Sequence, residues 1–332
     1  MLVESHPACA DHQAGIGHPE RPERLDAVLA GIHALDLGAD LVRVKARQAT
    51  IDELARAHER GFVEALGRFC AEGGGRIDAD TRAGEGSWEP ALRAAGAGLD
   101  AIARLEAGEA DAAFCAVRPP GHHASRAKAM GFCLFNNLAV CAATLAERGE
   151  RVAVVDWDAH HGNGTQDIFW SDPRVLYVSM HQWPLFPGTG RLEEVGAGDA
   201  EGTTVNLPFP PDTTGDVYQL AFDEVVEPVA RAFEPTWVLV SAGFDAHREC
   251  PLTHLGLSAG DYADLARRSA ALTGPGRCVA LLEGGYDLEA LAGSASACVG
   301  ALAGVEHRPE PPTSGGPGRD VVEAAARRHA SG

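Results

Sequence analysis

The chain has 332 residues, with 28 basic against 47 acidic side chains and a formal net charge of −19. This acidity argues against a nucleic-acid-binding protein, which normally presents a basic face to the phosphates. Apolar residues make up 45% and charged residues 23% of the sequence, the usage of an ordinary folded domain, so global disorder is excluded.

Short runs of apolar residues alternate along the chain with longer helix-like stretches. The runs are continuous rather than alternating in hydrophobicity, which is typical of strands covered on both faces. The predicted strands are Ala112–Val117, Val152–Asp156, Val175–Met180, Trp237–Ser241 and Cys278–Glu283. The predicted helices are Trp88–Leu105, Asn137–Arg148, Val217–Phe233, Asp261–Leu272 and Leu288–Ala303. Repeated strand–helix units predict a single α/β domain with a doubly wound, mainly parallel sheet flanked by helices.

The C-terminal end differs in composition from the rest. Arg308–Gly318 (RPEPPTSGGPG) is typical of a linker, and an amphipathic segment, Asp320–His329, follows it. We therefore expect a catalytic domain over residues 1–305. Residues 306–332 are expected to form a Pro/Gly linker and a short helix that docks on the same domain.

Signals for export and membrane insertion are missing from the sequence. The N-terminus has no basic region followed by an apolar stretch, and no apolar run approaches the roughly 20 residues of a membrane span. The eight cysteines are scattered and include no C-x-x-C pair. These features predict a cytoplasmic protein with reduced thiols and without membrane or nucleic-acid partners.

Polar residues follow four of the predicted strands directly. His122 and His123 come after the first strand, the second strand continues as DWDAHH (156–161), Asp245 follows the fourth strand and Tyr286 follows the fifth. The carboxyl ends of parallel strands line the ligand crevice of a doubly wound sheet. We therefore expect these four segments to meet at one place.

Asp158 and His160 form a D-x-H pair at a strand end. Their side chains share one face because residues i and i+2 of a strand point the same way. With Asp245 as a third ligand, they match a catalytic zinc site, which keeps a fourth position for water. The alternative is a hydrogen-bonded pair with no metal, and the additional ligand and the nearby histidines favour the metal.

The tandem histidines and the tyrosine complete the predicted chemistry. His122 and His123 follow a rigid Pro-Pro-Gly turn and titrate near neutrality, so they are candidate proton carriers, with solvent-exposed loop histidines as the alternative. Tyr286 follows two glycines, which leave space beside a ligand. Its phenol is a candidate donor to a developing oxyanion, with packing as the alternative.

Six motifs follow one another from residue 118 to residue 286: RPPGHHA, GFCLFNN, VDWDAHHGNGT, FPGTG, SAGFDAH and LEGGY, with HPERPERL before them at 18–25. In this order they resemble the zinc-dependent histone deacetylase family, in its class II and bacterial deacetylase-like amidohydrolase branch. That family belongs to the arginase–deacetylase superfamily, so the resemblance implies the arginase–deacetylase fold. It spans nearly the whole chain and leaves only the C-terminal tail unassigned.

The resemblance also implies a role for each matching residue. The implied zinc ligands are Asp158, His160 and Asp245. The implied catalytic residues are His122, His123, Tyr286, Asp156 as partner of the first histidine, and Asn163 behind the second. The implied channel residues are Gly131, Phe132, Phe186 and Leu252. The implied ligands of an inner potassium ion are Asp156, Asp158, His160, Ser179 and Met180, and those of an outer one are Phe169, Asp172 and Val175.

The implied reaction is hydrolysis of a linear amide. Zinc polarises the carbonyl and activates a water. His123 takes the proton of that water, zinc and Tyr286 hold the oxyanion, and a histidine returns the proton to the departing amine. The products are a carboxylate, typically acetate, and a free amine. Asn163 stands where class I members carry aspartate, so it should stabilise the His123 imidazolium less than a carboxylate would.

Several alternatives stay open within this resemblance. An arginase-like enzyme with two manganese ions is disfavoured because Gly162 and His247 stand where acids are needed. Acylated lysine is the favoured substrate because the neutral Leu252 occupies the gatekeeper position of polyamine-specific relatives, although the nearby Glu249 keeps acetylpolyamines open. Asp80 and Glu85 on the predicted rim loop either receive substrate or are simply solvated, which is the favoured interpretation. A catalytically weak acyl-amine binding module and a homo-oligomer also stay open.

Overall fold

An eight-stranded parallel sheet lies at the centre of the computed structural model, which describes residues 1–329. Its strands are β1 (Leu2–Ser5), β2 (Val42–Lys45), β5 (Ala113–Cys115), β6 (Val152–Asp156), β7 (Val175–Gln182), β8 (Thr204–Phe209), β9 (Trp237–Ala242) and β10 (Cys278–Leu282), and a separate antiparallel hairpin holds β3 (Gly74–Arg76) and β4 (Arg82–Gly84). The order across the sheet is β2-β1-β5-β10-β9-β6-β7-β8. This architecture confirms the predicted α/β fold with a parallel sheet.

The central strands form where the sequence has continuous apolar runs. All five residues of β6 and all five of β10 are buried, as expected for strands covered by helices on both faces. The first predicted strand is shorter than expected, since only Ala113–Cys115 pairs with its neighbours. β1, β2 and β8 were not predicted: β1 and β2 are only four residues long, and the run of β8 is interrupted by Asn206 and Pro208.

Two groups of helices flank the sheet: α1, α10 and α9 pack side by side, and α4 packs on α5. The helices are α1 (Glu23–Ala34), α2 (Ile51–Leu54), α3 (Arg60–Ala71), α4 (Trp88–Glu106), α5 (Asn137–Glu147), α6 (Asn163–Phe169), α7 (Gly215–Ala221), α8 (Glu227–Phe233), α9 (Ala259–Ala270), α10 (Leu288–Leu302) and α11 (Arg319–His329). Short 3₁₀ turns cover Pro7–Ala10, Gly38–Asp40, Glu85–Ser87 and Gly198–Ala200.

The predicted helix Val217–Phe233 contains an irregularity. A π-helical turn, Phe222–Val226, separates α7 from α8. Pro228 lies two residues after its end and lacks the N–H that a regular helix would use to bond four residues back. The wider turn therefore accommodates a residue that cannot donate.

The sheet order brings four chemically active segments together. β5, β10, β9 and β6 are consecutive neighbours, and all run in the same direction. Their carboxyl ends therefore form one edge, although the strands come from positions spread over 170 residues of the sequence. This is the expected place of a ligand crevice in a doubly wound sheet.

The C-terminal tail lies against the body of the domain. Residues 308–316 run across the N-terminus of α9, where Ser258 donates to the Pro311 carbonyl and Thr313 donates to Asp261. Helix α11 packs on β8 and on the π-helical turn. The last three residues of the predicted tail lie outside the described residues. Among the helices of residues 1–329, none is both long and apolar enough to cross a membrane.

Candidate active site

Two carboxylates and one imidazole converge at the carboxyl ends of β6 and β9. Nδ1 of His160 lies 2.8 Å from Oδ2 of Asp245 and 3.2 Å from Oδ1 of Asp158. One ligand atom from each of the three residues lies within 4.8 Å of the others. Both aspartates are buried, and backbone N–H groups of Gly284 and Ala159 fix their remaining oxygens at 2.8 Å. The arrangement presents three convergent donor atoms.

The surroundings fit a divalent metal ion at this cluster. Two carboxylate oxygens and one imidazole nitrogen suit zinc and similar ions, and the two negative charges balance the charge of the ion. Two glycines allow the backbone to approach closely. A Cβ at Gly243 would lie 2.1 Å from Oδ2 of Asp158, and one at Gly284 would lie 2.4 Å from Oδ2 of Asp245. Side chains at either position would displace the carboxylates, so the backbone is shaped around the donors.

Burial and mutual charge shift the pKa values of the cluster. Burial, followed by repulsion from Asp158, raises the pKa of Asp245 to about 6. Burial lowers the pKa of His160, but hydrogen bonds to Asp158 and Asp245 outweigh it and raise the value to about 9. The cluster therefore favours a positive charge between its two carboxylates.

The tandem histidines lie beside this cluster: their ring centres are 4.1 Å apart, and Nε2 of His122 lies 3.8 Å from Oδ1 of Asp158. His122 Nδ1 donates to Oδ2 of Asp156 over 3.0 Å, and His123 Nδ1 donates to Oδ1 of Asn163 over 2.9 Å. Burial lowers the pKa of His122, but Asp156 and then Asp158 raise it well above its usual range. Burial, followed by repulsion from His122, holds the pKa of His123 well below its usual range. With its Nδ1 proton bound to Asn163, neutral His123 leaves Nε2 free to accept a proton.

Glu283 supports the turn that carries the tandem histidines. Its Oε2 accepts from the backbone N–H of Gly121 at 2.6 Å and from that of His122 at 3.2 Å. The carboxyl is fully buried, and burial raises its pKa to about 7. This residue belongs to the LEGGY motif, and no role was predicted for it from the sequence. A buried acid directly after a strand was the available signal.

A buried arginine supports the Tyr286 loop. Arg24 donates from Nε to the Gly285 carbonyl over 2.6 Å, and its guanidinium lies 4.9 Å from the centre of the Tyr286 ring. Glu20 links this arginine to a second buried arginine, Arg118. This network was not predicted from the sequence, because Glu20 and Arg118 are 98 positions apart. The charged residues of HPERPERL were the only signal.

A channel of about 210 Å³ leads to these groups. Its lining residues are Asp80, His123, Gly131, Phe132, His160, Leu185, Phe186, Leu252 and Tyr286. The four predicted channel residues are all among them, as is Asp80 of the predicted rim loop, whereas Glu85 is not. Phe132 has a left-handed backbone (φ 68°) and donates its N–H to Oγ1 of Thr81 over 3.1 Å. Strain of this kind in a non-glycine residue is concentrated at functional sites.

The residues predicted to bind the inner potassium ion lie on β6, on the segment that follows it and on β7. Asp156 and Ser179 are register partners on β6 and β7, and Oδ1 of Asp156 accepts from the backbone N–H of Asp158 at 3.1 Å. Of the outer set, Phe169 ends α6, Asp172 lies in the connection and Val175 begins β7. Potassium binding at either place stays a prediction.

Comparisons with known proteins agree with the geometry. A probable deacetylase of Archaeoglobus fulgidus is 41% identical over 290 residues, which cover 86% of this chain and 80% of the relative. Histone deacetylase 10, chloroplastic, of Oryza sativa subsp. japonica is 39% identical over 300 residues, covering 83% of this chain and 68% of the relative. The crystal structure of the HDA15 HD domain superposes with a TM-score of 0.91 at 35% identity, covering 99% of this chain and 96% of that one. The histone deacetylase domain matches residues 18–302, and the chain therefore belongs to the histone deacetylase domain family.

Proposed function

We propose that this deacetylase hydrolyses the side-chain amide of acylated lysine, with a zinc ion held by Asp158, His160 and Asp245. One observation carries the proposal: the three donor residues form one cluster, and His160 of that cluster lines the same channel as His123 and Tyr286. When bound there, zinc supplies Lewis-acid chemistry, because it polarises the amide carbonyl and lowers the pKa of a water molecule.

Protein side chains carry out the proton transfers and stabilise the developing oxyanion. His123 accepts the proton of the attacking water at Nε2, because Asn163 holds its other nitrogen as a donor. His123 then returns this proton to the nitrogen of the departing amine. His122, kept cationic by Asp156, contributes positive charge beside the developing oxyanion. Tyr286 donates its phenolic hydrogen to that oxyanion.

The channel favours acylated lysine over an acylated polyamine. Its walls include two phenylalanines and Leu252, which suit the apolar methylene chain of lysine. Leu252 offers no carboxylate to attract a second, distal ammonium group. The acetylpolyamine alternative retains one supporting observation, because the carboxylate of Asp80 also lines the channel.

Further parts of the proposal concern the structural ions and the tail. We propose that one or two potassium ions bind at the two sets of residues named above. Residues 306–332 are proposed to belong to the catalytic domain as a docked extension, because Ser258 and Asp261 hydrogen-bond to them. We also propose a cytoplasmic location.

A deacetylation assay with a matched variant tests this function. The zinc-loaded protein is offered an acetyl-lysine peptide and an N-acetylated polyamine, and acetate release is measured. Tyr286→Phe removes only the phenolic hydroxyl, so we expect kcat on the peptide to fall roughly 10²- to 10³-fold with little change in KM.

Two other outcomes have definite meanings. A preference for the polyamine would replace the proposed substrate with the acetylpolyamine alternative. If wild type and Tyr286→Phe were equally inactive on both substrates, while the peptide still bound, the proposed hydrolysis would be wrong. The chain would then be an acyl-amine binding module.

A further inference from the structure

The loop Leu185–Gly190, here called the channel loop, carries one wall of the channel. The ring of Phe186 lies 5.1 Å from that of His123 and 6.4 Å from that of His160, centre to centre. Yet Phe186 is 40% exposed, so packing against neighbouring side chains fixes the position of its ring only partly. The position of this wall therefore depends on what anchors the rest of the loop.

One anchor is a hydrogen bond between Thr189 and His161. Nδ1 of His161 lies 2.8 Å from Oγ1 of Thr189, and Nε2 of the same ring lies 3.0 Å from Oε1 of Gln166. That amide oxygen can only accept, and it also receives a hydrogen bond from Asn206 over 2.8 Å. Nε2 of His161 therefore donates. In the neutral imidazole, Nδ1 then accepts from the Thr189 hydroxyl.

The neighbouring Gly190 is held by the same group of buried residues. Its carbonyl accepts from Nε2 of His181 over 2.9 Å, and its N–H donates to Glu194 over 3.1 Å. Gly190 has φ +88°, and a Cβ there would lie 2.6 Å from the rings of both His161 and His181. The end of the channel loop is therefore pressed against two histidine rings, only one of which Thr189 contacts.

We propose that Thr189 is a positioning residue that fixes Phe186 through His161 and so sets how tightly the channel holds the acyl-lysine side chain. This inference rests on the proposed function. His161 is buried and follows His160 directly in sequence, so it offers a fixed point close to the reaction centre. Thr189 is exposed, and only its hydroxyl reaches inward. Losing that hydroxyl should release the loop without disturbing the core.

Two substitutions separate the hydroxyl from the shape of the side chain. Thr189→Val keeps the shape and removes the donor, and Thr189→Ser keeps the donor. The loss of one hydrogen bond shifts the equilibrium between the anchored and the released channel loop by roughly three- to tenfold. We therefore expect Thr189→Val to raise KM for an acetyl-lysine peptide by that factor. We expect kcat to stay within about twofold, and Thr189→Ser to restore the KM of the wild type.

Two further measurements show whether the effect acts through Phe186. In a Phe186→Ala background, Thr189→Val should add no further increase in KM, because the wall it positions is gone. Amide hydrogen exchange of residues 185–190, measured without substrate, should be faster in Thr189→Val than in wild type and unchanged in Thr189→Ser.

The inference is overturned if Thr189→Val has the KM and the exchange rates of the wild type. It is also overturned if its effect on KM persists in full without Phe186. A wild-type protein that hydrolyses no acyl-amine would contradict the proposed function instead. The exchange experiment would then still decide whether Thr189 anchors the loop.

Discussion

The hydrogen-bond partners of the two tandem histidines differ by one charge. His122 donates to the carboxylate of Asp156, whereas His123 donates to the amide oxygen of Asn163. A carboxylate stabilises an imidazolium ion more than an amide does. The pair therefore keeps one ring cationic and the other available as a base, although the two rings are in contact.

Replacing the neutral hydrogen-bond partner of His123 by a charged one should shift the pH dependence of kcat/KM. Asn163→Asp places a carboxylate at the Nδ1 of His123, which raises the pKa of that ring. Because the proposed mechanism needs the neutral His123 ring as base, the acidic limb of the kcat/KM profile should move to higher pH, by about one unit or more. The pH–rate profiles of wild type and variant measure this shift. An unchanged limb, or one displaced to lower pH, would rule out His123 as the base.

At the scale of secondary-structure elements, β1 carries a buried carboxyl group, Glu4, whose hydrogen bonds and charge are not fully compensated by the described residues around it. Glu4 is fully buried, and in residues 1–329 neither of its carboxylate oxygens has a hydrogen-bond partner. The closest cation, Nε of Arg104, lies 3.6 Å away. Burial, followed by repulsion from Asp100, raises the pKa of Glu4 to about 8. The folded protein therefore holds a proton on Glu4 that the unfolded chain releases.

The free energy of unfolding should reflect this difference. Because the pKa of Glu4 is higher in the folded state, the contribution of Glu4 to stability is fully present at acidic pH and is lost as the pH rises from about 5 to about 8. Glu4→Gln cannot ionise and lacks this contribution. Relative to the variant, the wild type should lose on the order of 2–4 kcal/mol across that interval, as measured by urea unfolding at several pH values. Parallel pH dependences in the two proteins would contradict the assignment.

The C-terminal tail is tied to the loop that follows Asp245. Glu310 contacts Nε2 of His247 at 2.7 Å, accepts from the N–H of Ala259 at 3.0 Å and pairs with Arg248. His247 is almost fully buried, so the loss of its partner leaves a buried polar group unsatisfied. Glu310 itself lies beyond residues 18–302, which match the family domain, whereas its three partners lie within them.

Removing Glu310 should therefore destabilise the domain. Glu310→Ala is expected to lower the free energy of unfolding by about 1–3 kcal/mol. Glu306→Ala is the matched control, because it removes an acid of the same tail whose partners are the surface residues Arg267 and Arg308. It should leave the denaturation midpoint unchanged. Equal effects of the two substitutions would mean that the tail does not support this loop.

Elements with a strong local pattern were predictable from the sequence. The strand that ends at Asp156 and the strand that precedes Asp245 are continuous apolar runs. Because strand ends line the ligand crevice of such a sheet, the polar residues there were predicted to meet in one cavity. β1 and β2 are too short to give such a pattern. The π-helical turn before Pro228 depends on hydrogen-bond geometry that no periodicity reveals.

At the scale of the whole molecule, the pairing of distant segments could not be predicted from the sequence. Neither the sheet order nor the network of Glu20, Arg24 and Arg118 follows from local propensity, because its partners are brought together only when the sheet assembles. The strand–helix pattern predicted a parallel α/β sheet, and the resemblance to known deacetylases assigned roles to metal-binding, catalytic and channel residues. Supporting residues such as Glu283 and Thr189 became visible only through their contacts.

The central claim is that Asp158, His160 and Asp245 together hold the single ion on which deacetylation depends. Its most direct test is a titration of the metal-free protein with zinc, while acetate release from an acetyl-lysine peptide is followed. Activity should rise with each addition and reach a plateau at one equivalent of zinc, and Asp245→Asn should show no such rise. Full activity without added metal, or an Asp245→Asn titration that matches the wild type, would contradict the claim.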